Sequence, residues 1–241
     1  MFIHNRLGML ESVETMLAQE QRLHQVTNNL ANVDTTGYKK ETVTFGEMLY
    51  QVTRNRQRVG KALVINTIHQ QGPLQQTENP FDLAISGDGF FQIQTPDGIR
   101  YTRAGNFQRD NLGRMVTASG SPLLGQNGPI IANGQNLDVS RDGRVTVDGI
   151  LVDRLAIVTA DPEDLHKEGE NLFRLEQGAA EEVPENFVLH QGFLEKSNVN
   201  TILEMTEMID LYRAYEGQQK MIRAMDDLDD LAARRVGTLA G

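Results

Sequence analysis

The sequence predicts an α+β fold, in which long N- and C-terminal α-helices pair as a coiled-coil-like stalk and an all-β domain is inserted between them. Apolar residues recur at helical intervals near both ends of the 241-residue chain, whereas those in the middle follow a two-residue period. Short motifs rich in glycine, asparagine and aspartate punctuate the middle, as turns do in an all-β domain. We therefore predict a discontinuous helical and extended domain, residues 1–72 and 190–241, and a β-rich domain, residues 73–189.

The C-terminal helix is predicted from Ser197 to about Arg235. Thr201 and Glu204 stand three residues apart, as in a capping box at a helix start. A helix of this length extends roughly 50 Å, longer than a domain of this size needs, and therefore predicts a partner. Its apolar residues follow one another mostly by three or four positions and predict a single stripe: Ile202, Met205, Ile209, Tyr212, Tyr215, Ile222, Met225 and Leu228.

The N-terminal helix is predicted from about Ile3 to Leu30. Its stripe is interrupted by Glu20 and Thr27, as Gln219 interrupts the second helix, so neither is a strict coiled-coil seam. Two such helices can form an antiparallel pair within a monomer, or leave apolar edges for neighbouring copies, and both arrangements stay open here. The stripe consists of Met9, Val13, Met16, Leu23 and Leu30, with Leu10, Leu17 and Val26 beside it.

Asparagines cluster where the first helix ends and the last one begins. Asn28, Asn29 and Asn32 lie within five residues, and Asn198 and Asn200 precede the C-terminal helix. An asparagine amide both donates and accepts hydrogen bonds, so these side chains can cap a helix or set the register against an adjacent chain. Both interpretations are kept.

The segment after the first helix is predicted to be mostly irregular. Residues 45–50 predict a short helical turn, and residues 51–75 are polar and extended. Arg54, Arg56 and Arg58 alternate, so an extended backbone places them on one face. This row fits docking on an acidic neighbour or, equally, a solvated loop.

The β-rich domain is predicted to begin at about Pro73. Phe81, Leu83 and Ile85 alternate with smaller or polar residues, and residues 86–89, Ser-Gly-Asp-Gly, predict a tight turn rather than a dinucleotide-binding loop. Further turn motifs follow at short intervals, as in a domain of many short strands. Residues 151–159 are predicted to form a buried strand.

Composition restricts the classes of function. The net charge of -10 argues against general nucleic-acid binding, which needs a basic surface. The chain has no cysteine, so it has neither a disulfide framework nor a thiolate zinc site. We predict no membrane span and no cleaved signal peptide, because long apolar runs are absent and the N-terminus lacks a basic segment followed by an apolar one. The protein is thus expected in the cytoplasm, or to be exported by a route that reads no such signal.

No pattern for enzymatic chemistry emerges. The five histidines are scattered, and none stands at metal-ligand spacing with another. No Gly-x-Ser-x-Gly motif is present, and the acidic residues at 226–230 lack the glycine and closing glutamate of a calcium loop. We predict that the protein is not an enzyme and has no catalytic residue, cofactor or metal site. The alternatives are a secreted β-rich binding module, with residues 138–144 as its surface, or an enzyme of unrecognised type.

Several motifs together resemble the bacterial flagellar rod and hook proteins, an axial protein family. They occur in the family's order along nearly the whole chain, so the combination is highly specific. The matching stretches are Asn28-Asn29-Leu30-Ala31-Asn32-Val33, Thr35-Thr36-Gly37-Tyr38, Asn79-Pro80-Phe81-Asp82-Leu83-Ala84-Ile85, Tyr101-Thr102-Arg103-Ala104-Gly105-Asn106-Phe107, Leu194-Glu195, Ser197-Asn198-Val199-Asn200 and Arg213-Ala214-Tyr215-Glu216.

This resemblance implies a structural subunit of the flagellar basal-body rod. Such subunits are exported unfolded by the flagellar type III apparatus, without a cleaved signal peptide, and stack helically into a hollow drive shaft across the periplasm. The terminal helices line the tube and the β domain lies outside. The short segment between Tyr50 and Gln70 and the sequence of residues 218–222 favour the proximal-rod type, with the distal rod protein as the alternative.

The implied partners are other copies of the chain, neighbouring proximal and distal rod proteins, and the export apparatus, with no nucleic acid. Two exposed apolar stripes are a liability in a monomer but serve as an interface in a polymer. The predicted subunit interface comprises Met9, Val13, Met16, Leu23, Asn28, Asn29, Leu30, Asn32, Asn198, Asn200, Met205, Ile209, Tyr212, Tyr215, Ile222 and Met225.

Overall fold

The computed structural model describes residues 2–53, 56–184 and 186–239; the side chains of residues 2–11, 45–53, 56–63, 229–230 and 232–239 lie outside this description. The fold is α+β, with one helix at each end of the chain and strands between them, as predicted. Internal contacts divide the chain into two units. The first unit contains the two helices and Glu41–Asn66, and the second contains Asn32–Lys40 and Thr67–Val199. Residues 32–40, 67–72 and 190–199, which the sequence placed with the helices, therefore pack with the strands.

The first unit consists of two helices and two paired strands. Helix α1 spans Phe2–Ala31 and helix α2 spans Thr201–Leu239, close to the predicted bounds. Strand β1, Glu41–Thr53, pairs with β2, Arg56–Thr67. Side-chain hydroxyls reinforce this pairing, because Thr42 Oγ1 donates to the Asn66 carbonyl and Thr44 Oγ1 donates to the Val64 carbonyl.

The helical turn predicted for residues 45–50 is wrong, because these residues continue strand β1. The segment from Thr42 to Phe45 is rich in β-branched and aromatic residues, which favour strands. Pairing with β2 then satisfies the backbone groups over a longer stretch than one helical turn would. Arg54 lies outside the described residues, and the side chains of Arg56 and Arg58 do too, so the predicted shared face of these arginines stays a prediction.

The second unit is built from short strands in several small sheets. The largest sheet has five strands in the order β14-β5-β6-β16-β15, and the pairs β5–β6, β14–β5, β15–β16 and β16–β6 are antiparallel. A three-stranded sheet has the order β11-β12-β13, and β4 pairs with β17. The strands are β3 Leu74–Gln76, β4 Leu83–Gly87, β5 Phe90–Thr95, β6 Gly98–Thr102, β7 Gln108–Arg109, β8 Met115–Val116, β9 Leu124–Gly125, β10 Gly128–Pro129, β11 Leu137–Val139, β12 Arg144–Val147, β13 Ile150–Arg154, β14 Ile157–Val158, β15 Leu165–Gly169, β16 Leu172–Leu175, β17 Phe187–Gln191 and β18 Phe193–Glu195.

The core of the second unit contains apolar residues that the two-residue period identified, together with others that it did not. Leu83, Ile85, Phe91 and Ile93 belong to one buried cluster. Phe90 lies on the opposite face of β5 from Phe91, and it joins a second cluster with Tyr101, Leu165 and Phe173. Strand β5 is therefore buried on both faces, which a simple alternation of apolar and polar residues does not describe.

The turn predicted at residues 86–89 is confirmed between β4 and β5. Gly87 and Gly89 have φ angles of 98° and 120°, a region that glycine adopts without the steric cost of a Cβ atom. Close packing requires a further glycine, because a Cβ atom on Gly105 would lie 1.6 Å from the Leu83 carbonyl oxygen.

The buried strand predicted for residues 151–159 is only half correct. Leu155 and Ile157 are buried, but Leu151 in strand β13 is 60% exposed. Strand β13 is the edge of its sheet, and among the described residues β12 is the one strand that pairs with it, so one side of it remains open. Among the described residues, neither helix has a stretch long and apolar enough to cross a membrane.

Candidate assembly interface

Helices α1 and α2 contact each other within the first unit. Arg22 Nη2 lies 2.9 Å from Glu207 Oε1, although both side chains are substantially exposed and such a pair contributes little stability. The described helical side chains that the first unit buries are few, and most of them are polar. These residues are Ser12, Val26, Asn29, Glu204 and Leu211.

The apolar stripe predicted along α2 divides between two faces. Tyr215, Ile222 and Met225 are partly buried, whereas Ile209 and Tyr212 are each 53% exposed. An α-helix turns by about 100° per residue, so the two successive three-residue steps from Ile209 to Tyr215 rotate the stripe by roughly 120°. The prediction of a single stripe is therefore wrong.

The face of α2 with the more exposed apolar side chains lies near the start of the helix. Met205 is 49% exposed and Ile202 is 75% exposed, so the monomer covers these side chains only partly. We define the exposed apolar face as Ile202, Met205, Ile209 and Tyr212. The first helix also presents exposed apolar side chains, namely Val13 at 43% and Leu17 at 55%.

Most of the remaining predicted interface residues are partly buried. The side chain of Met9 lies outside the described residues. Asn28 is exposed at the end of α1. Partly buried positions are occupied by Met16, Leu23 and Leu30 on α1 and by Asn32 and Asn198 next to the helices.

Asn29 connects α1 to the strand that follows and to α2. Its Nδ2 donates to the Glu41 carbonyl (2.9 Å) and to Glu204 Oε2 (3.2 Å), while its Oδ1 accepts from the Glu41 amide (3.1 Å). Gln25 Nε2 donates to Glu41 Oε2 at 2.9 Å. Asn29 is 1% exposed and Glu204 fully buried, so these bonds lie within the chain and away from water.

Asn200 caps helix α2. Its Oδ1 accepts from the amides of Ile202 (3.1 Å) and Leu203 (3.2 Å), and its carbonyl accepts from the Glu204 amide (3.0 Å). The predicted capping box of Thr201 and Glu204 is therefore wrong. The cap begins one residue earlier, and the Glu204 side chain bonds to Asn29 instead.

Replacing Asn200 with alanine is expected to destabilise the start of α2 by about 1 kcal/mol, because two amides lose their acceptor. Hydrogen exchange at Ile202 and Leu203 should accelerate roughly fivefold. Asn200→Asp keeps an acceptor and adds a favourable charge at the helix N-terminus, so this control variant should exchange no faster than the wild type. Equal exchange in Asn200→Ala would contradict the capping role.

Asn198 joins three backbone segments of the second unit. Its Oδ1 accepts from the Lys40 amide at 2.7 Å, and its Nδ2 donates to the carbonyls of Ile68 (2.8 Å) and Gln70 (2.9 Å). Asn32 closes a turn, with its Oδ1 accepting from Thr35 Oγ1 at 3.2 Å. For Asn198 and Asn32, as for Asn29 and Asn200, the structure shows bonds within the chain. Contacts of any asparagine with another copy stay a prediction.

A buried ionic cluster lies beside Asn198. Lys39 Nζ donates to Glu195 Oε1 at 2.6 Å and to the Gln70 carbonyl at 2.8 Å. The same carboxylate oxygen accepts from the Gly72 amide at 2.9 Å, and Arg103 Nη1 lies 3.4 Å from Glu195 Oε2. Lys39 and Glu195 are fully buried, and burial lowers the pKa of Lys39 while Glu195 opposes that effect. We call these residues the Glu195 cluster.

His69 packs against the same region. Its ring lies 5.7 Å from the Phe90 ring and 5.3 Å from the Phe173 ring, between centroids. Burial, assisted by the positive charges of Lys39, Arg103 and Lys167, lowers the pKa of His69 to about 4. The imidazole is therefore neutral at physiological pH.

This depressed pKa predicts a pH dependence of stability. Unfolded His69 binds a proton below its ordinary pKa of 6.5, whereas folded His69 stays neutral down to about 4. The free energy of unfolding of the second unit should therefore fall as the pH drops from about 6.5 to about 4. Other carboxylates titrate in the same range, so the test is the difference in urea midpoint between wild type and His69→Phe. A difference that does not change with pH would contradict this assignment.

The charged residues that the second unit buries were not predicted from the sequence. No role was predicted for Lys39, and Arg103 and Glu195 were named only within the family motifs. Neither periodicity nor spacing marks them, because Lys39 and Glu195 are 156 positions apart. Within the part of the chain that the structure describes, no group of three or more histidine and carboxylate side chains is arranged to hold a metal ion.

Family models match the chain at both helices and in the strands. The model described as flagella basal body rod protein matches residues 9–39, which include most of α1. The D1 domain of the flagellar hook protein FlgE/F/G matches residues 84–147. The model described as flagellar basal body rod FlgEFG protein C-terminal matches residues 190–235.

Whole-chain relatives agree with these matches. The flagellar basal-body rod protein FlgG of Bacillus subtilis is 36% identical, over 92% of this chain and 96% of its own. The flagellar basal-body rod protein FlgF of Caulobacter vibrioides is 35% identical, over 91% and 93% respectively. FlgG of Buchnera aphidicola from Acyrthosiphon pisum is 34% identical, over 88% and 92%. These similarities confirm the resemblance found in the motifs: the chain belongs to the flagellar basal-body rod protein family and is a structural subunit of the rod.

Proposed function

We propose that α1 and α2 pair as a coiled-coil-like stalk and that subunits polymerise helically through these helices into the hollow axial shaft of the flagellum. The observation that carries this proposal is the set of apolar side chains that both helices leave exposed. On α1 and α2 together they are Val13, Leu17, Ile202, Leu203, Met205, Ile209, Tyr212, Met221, Leu228 and Leu231. The exposed apolar face of α2, whose four residues follow one another along one side of the helix, is the kind of surface that proteins use as an interface.

The spacing of the less exposed residues supports the paired stalk. On α2 the partly or fully buried positions include Glu204, Leu211, Tyr215, Ile222 and Met225, whose separations are multiples or near-multiples of a 3.5-residue step. We assign Tyr215, Ile222 and Met225, with Met16, Leu23 and Leu30 of α1, to contacts within the subunit. Val13, Met205, Ile209, Tyr212 and Asn28 are assigned to contacts between subunits.

The magnitudes favour a polymer over a simple dimer. Covering a half-exposed apolar side chain contributes about 1 kcal/mol, so the ten side chains of the two helices supply roughly 10 kcal/mol. Association costs on the order of 4–15 kcal/mol in lost freedom of motion. A single contact is therefore marginal, whereas a subunit held by several neighbours at once is stable.

Within the family we propose the proximal-rod type. The supporting feature is the short segment between Tyr50 and Gln70, most of which belongs to the paired strands β1 and β2. The chain should restore motility to cells that lack the proximal rod protein, with no rescue of cells that lack the distal one. Rescue of the distal deletion alone would reverse the assignment.

The proposed route to the rod is export in an unfolded state by the flagellar type III apparatus, without a cleaved signal peptide. The proposed location is the part of the basal body that crosses the periplasm. An exported chain with an intact N-terminus, read by mass spectrometry of isolated basal bodies, is the expected result. An N-terminus shortened by a leader-sized segment would contradict this route.

Limited proteolysis with mass spectrometry tests the assembly proposal. At high dilution, α1 and α2 should be cleaved while the second unit, which includes residues 32–40, resists. Raising the concentration should protect both termini as oligomers form. Termini that resist cleavage at every dilution would show that the helices already bury each other fully, and the proposed interface would be wrong.

A further inference from the structure

A pocket of about 410 Å³ lies in the second unit. Residues of β5, the 3₁₀ turn Pro162–Asp164 and the segment before β3 contribute to its walls. We call it the His69–Arg103 pocket. Its lining includes His69, Asp88, Phe90, Arg103, Asp161 and Asp164.

Two residues of the lining, His69 and Arg103, carry buried polar atoms without hydrogen-bond partners among the described residues. Arg103 is 4% exposed, and its two terminal nitrogens bond to the Gly87 carbonyl (2.8 Å) and to Glu195, but its Nε has no hydrogen-bond partner among the described residues. Both ring nitrogens of His69 are likewise buried and unpaired within that part of the chain. Buried polar atoms in this state are costly unless a ligand or water satisfies them. Because His69 is neutral, its ring offers one donor and one acceptor.

The mouth of the pocket is acidic. Asp88 and Asp161 are exposed, and Asp164 and Glu182 also contribute to the lining. Carboxylates therefore outnumber the single guanidinium of Arg103. Asp161 makes no side-chain capping bond to the 3₁₀ turn, so its carboxylate is not used to stabilise the fold there. This combination fits an occupant with positive charge outside and main-chain polar groups inside.

The chain itself contains a segment with this chemistry. Residues 54–61 carry Arg54, Arg56, Arg58 and Lys61, and no acidic residue occurs from Met48 to Thr77, although the whole chain has a net charge of -10. The assembly of helices does not account for this basic segment. Its charge complements the pocket mouth, and complementary charges direct both orientation and specificity at interfaces.

We propose that the His69–Arg103 pocket binds the basic segment 54–61 of a second copy of this chain. A main-chain carbonyl of the segment accepts from Arg103 Nε, and a peptide group bonds to the His69 ring. The basic side chains pair with Asp88, Asp161 and Asp164 at the mouth. This inference rests on the proposed self-association and adds a second contact to it, between strands of one subunit and the β-rich unit of the next.

A binding assay with a synthetic peptide tests the inference separately from polymerisation. The probe is a fluorescein-labelled peptide of residues 50–65. The receptor is the full chain carrying Arg54→Gln, Arg56→Gln, Arg58→Gln and Lys61→Gln, so that its own segment does not compete. Fluorescence anisotropy at low protein concentration should show saturable binding that weakens strongly in 0.5 M salt, as expected for charge pairing (about tenfold or more).

Matched variants locate the binding. Asp161→Asn with Asp164→Asn should weaken peptide binding about tenfold, whereas Asp97→Asn with Asp138→Asn, which removes the same charge elsewhere in the unit, should not change it. A peptide with its four basic residues replaced by glutamine should not bind. The inference would be overturned if both double variants bound the peptide equally well, or if the basic peptide did not bind. It would also be overturned if the small polycation spermidine displaced the labelled peptide as effectively as unlabelled peptide does.

The outcome also separates this inference from the proposed function. Peptide binding to this receptor, together with no concentration-dependent assembly of the wild-type chain, would keep the pocket assignment and reject assembly through the helices. Assembly of the wild-type chain without peptide binding would reject the pocket assignment and leave the proposed assembly through the helices in place.

Discussion

Ile209→Asp is expected to abolish self-assembly and motility while leaving the subunit folded. Ile209 is 53% exposed in the subunit, so a charged side chain there remains in contact with water and costs the monomer little. In the proposed polymer the same position is covered by a neighbouring helix. An unpaired carboxylate buried in an apolar contact costs several kcal/mol, which exceeds the margin of a single subunit contact.

The matched control is Ile99→Asp in strand β6 of the second unit. Ile99 is 45% exposed, so the substitution changes size and charge equally at a similar exposure. Circular dichroism should show both variants folded, sedimentation should show loss of oligomers only for Ile209→Asp, and swimming should fail only in cells that carry that variant. Normal motility with Ile209→Asp would remove this residue from the interface.

Glu195→Leu is expected to destabilise the second unit by about 3–5 kcal/mol. The substitution leaves the ammonium of Lys39 fully buried without its carboxylate, which lies 2.6 Å away in the wild type. It also removes the acceptor of the Gly72 amide. Since domains are stable by only about 5–15 kcal/mol, much of the stability of the second unit would be lost.

Two further variants establish the physical cause. Glu195→Gln retains an oxygen acceptor but no charge, so its loss of stability should lie between those of wild type and Glu195→Leu. The double variant Lys39→Met, Glu195→Leu should recover a large part of the loss, because an apolar pair often replaces a buried ion pair without great cost. Urea unfolding with hydrogen exchange read separately for the second unit provides the measurement. A loss below about 0.5 kcal/mol in Glu195→Leu would contradict the role of the cluster.

Local patterns in the sequence predicted the elements of this fold well. Both helices, the central strands and the Gly87–Gly89 turn are signalled by residues close to one another, and the structure contains each of them. The prediction for residues 45–50 failed because a partner strand from residues 56–67 decides their conformation. The capping prediction failed because the Glu204 side chain accepts a hydrogen bond from Asn29, which is 175 positions away in the sequence.

The interface could be predicted only in part, for a geometric reason. Periodicity identified the apolar residues on α2. It did not show that Ile209 and Tyr215 point about 120° apart, which follows from adding the rotation of about 100° per residue over the six positions that separate them. The Glu195 cluster could not be predicted at all. Lys39, Arg103 and Glu195 come from distant segments, and a charged residue in a sequence is ordinarily exposed.

Because the chain has no cysteine, a single introduced thiol can report directly whether the exposed apolar face is covered when subunits assemble. Ile209→Cys supplies a single thiol on that face, and Ile99→Cys supplies one on the second unit as a control. We would measure the rate of maleimide labelling of each variant across a series of protein concentrations. Labelling at position 209 should slow steeply as oligomers form, while labelling at position 99 should change little. Equal labelling rates at position 209 in dilute and assembled protein would contradict the proposed interface.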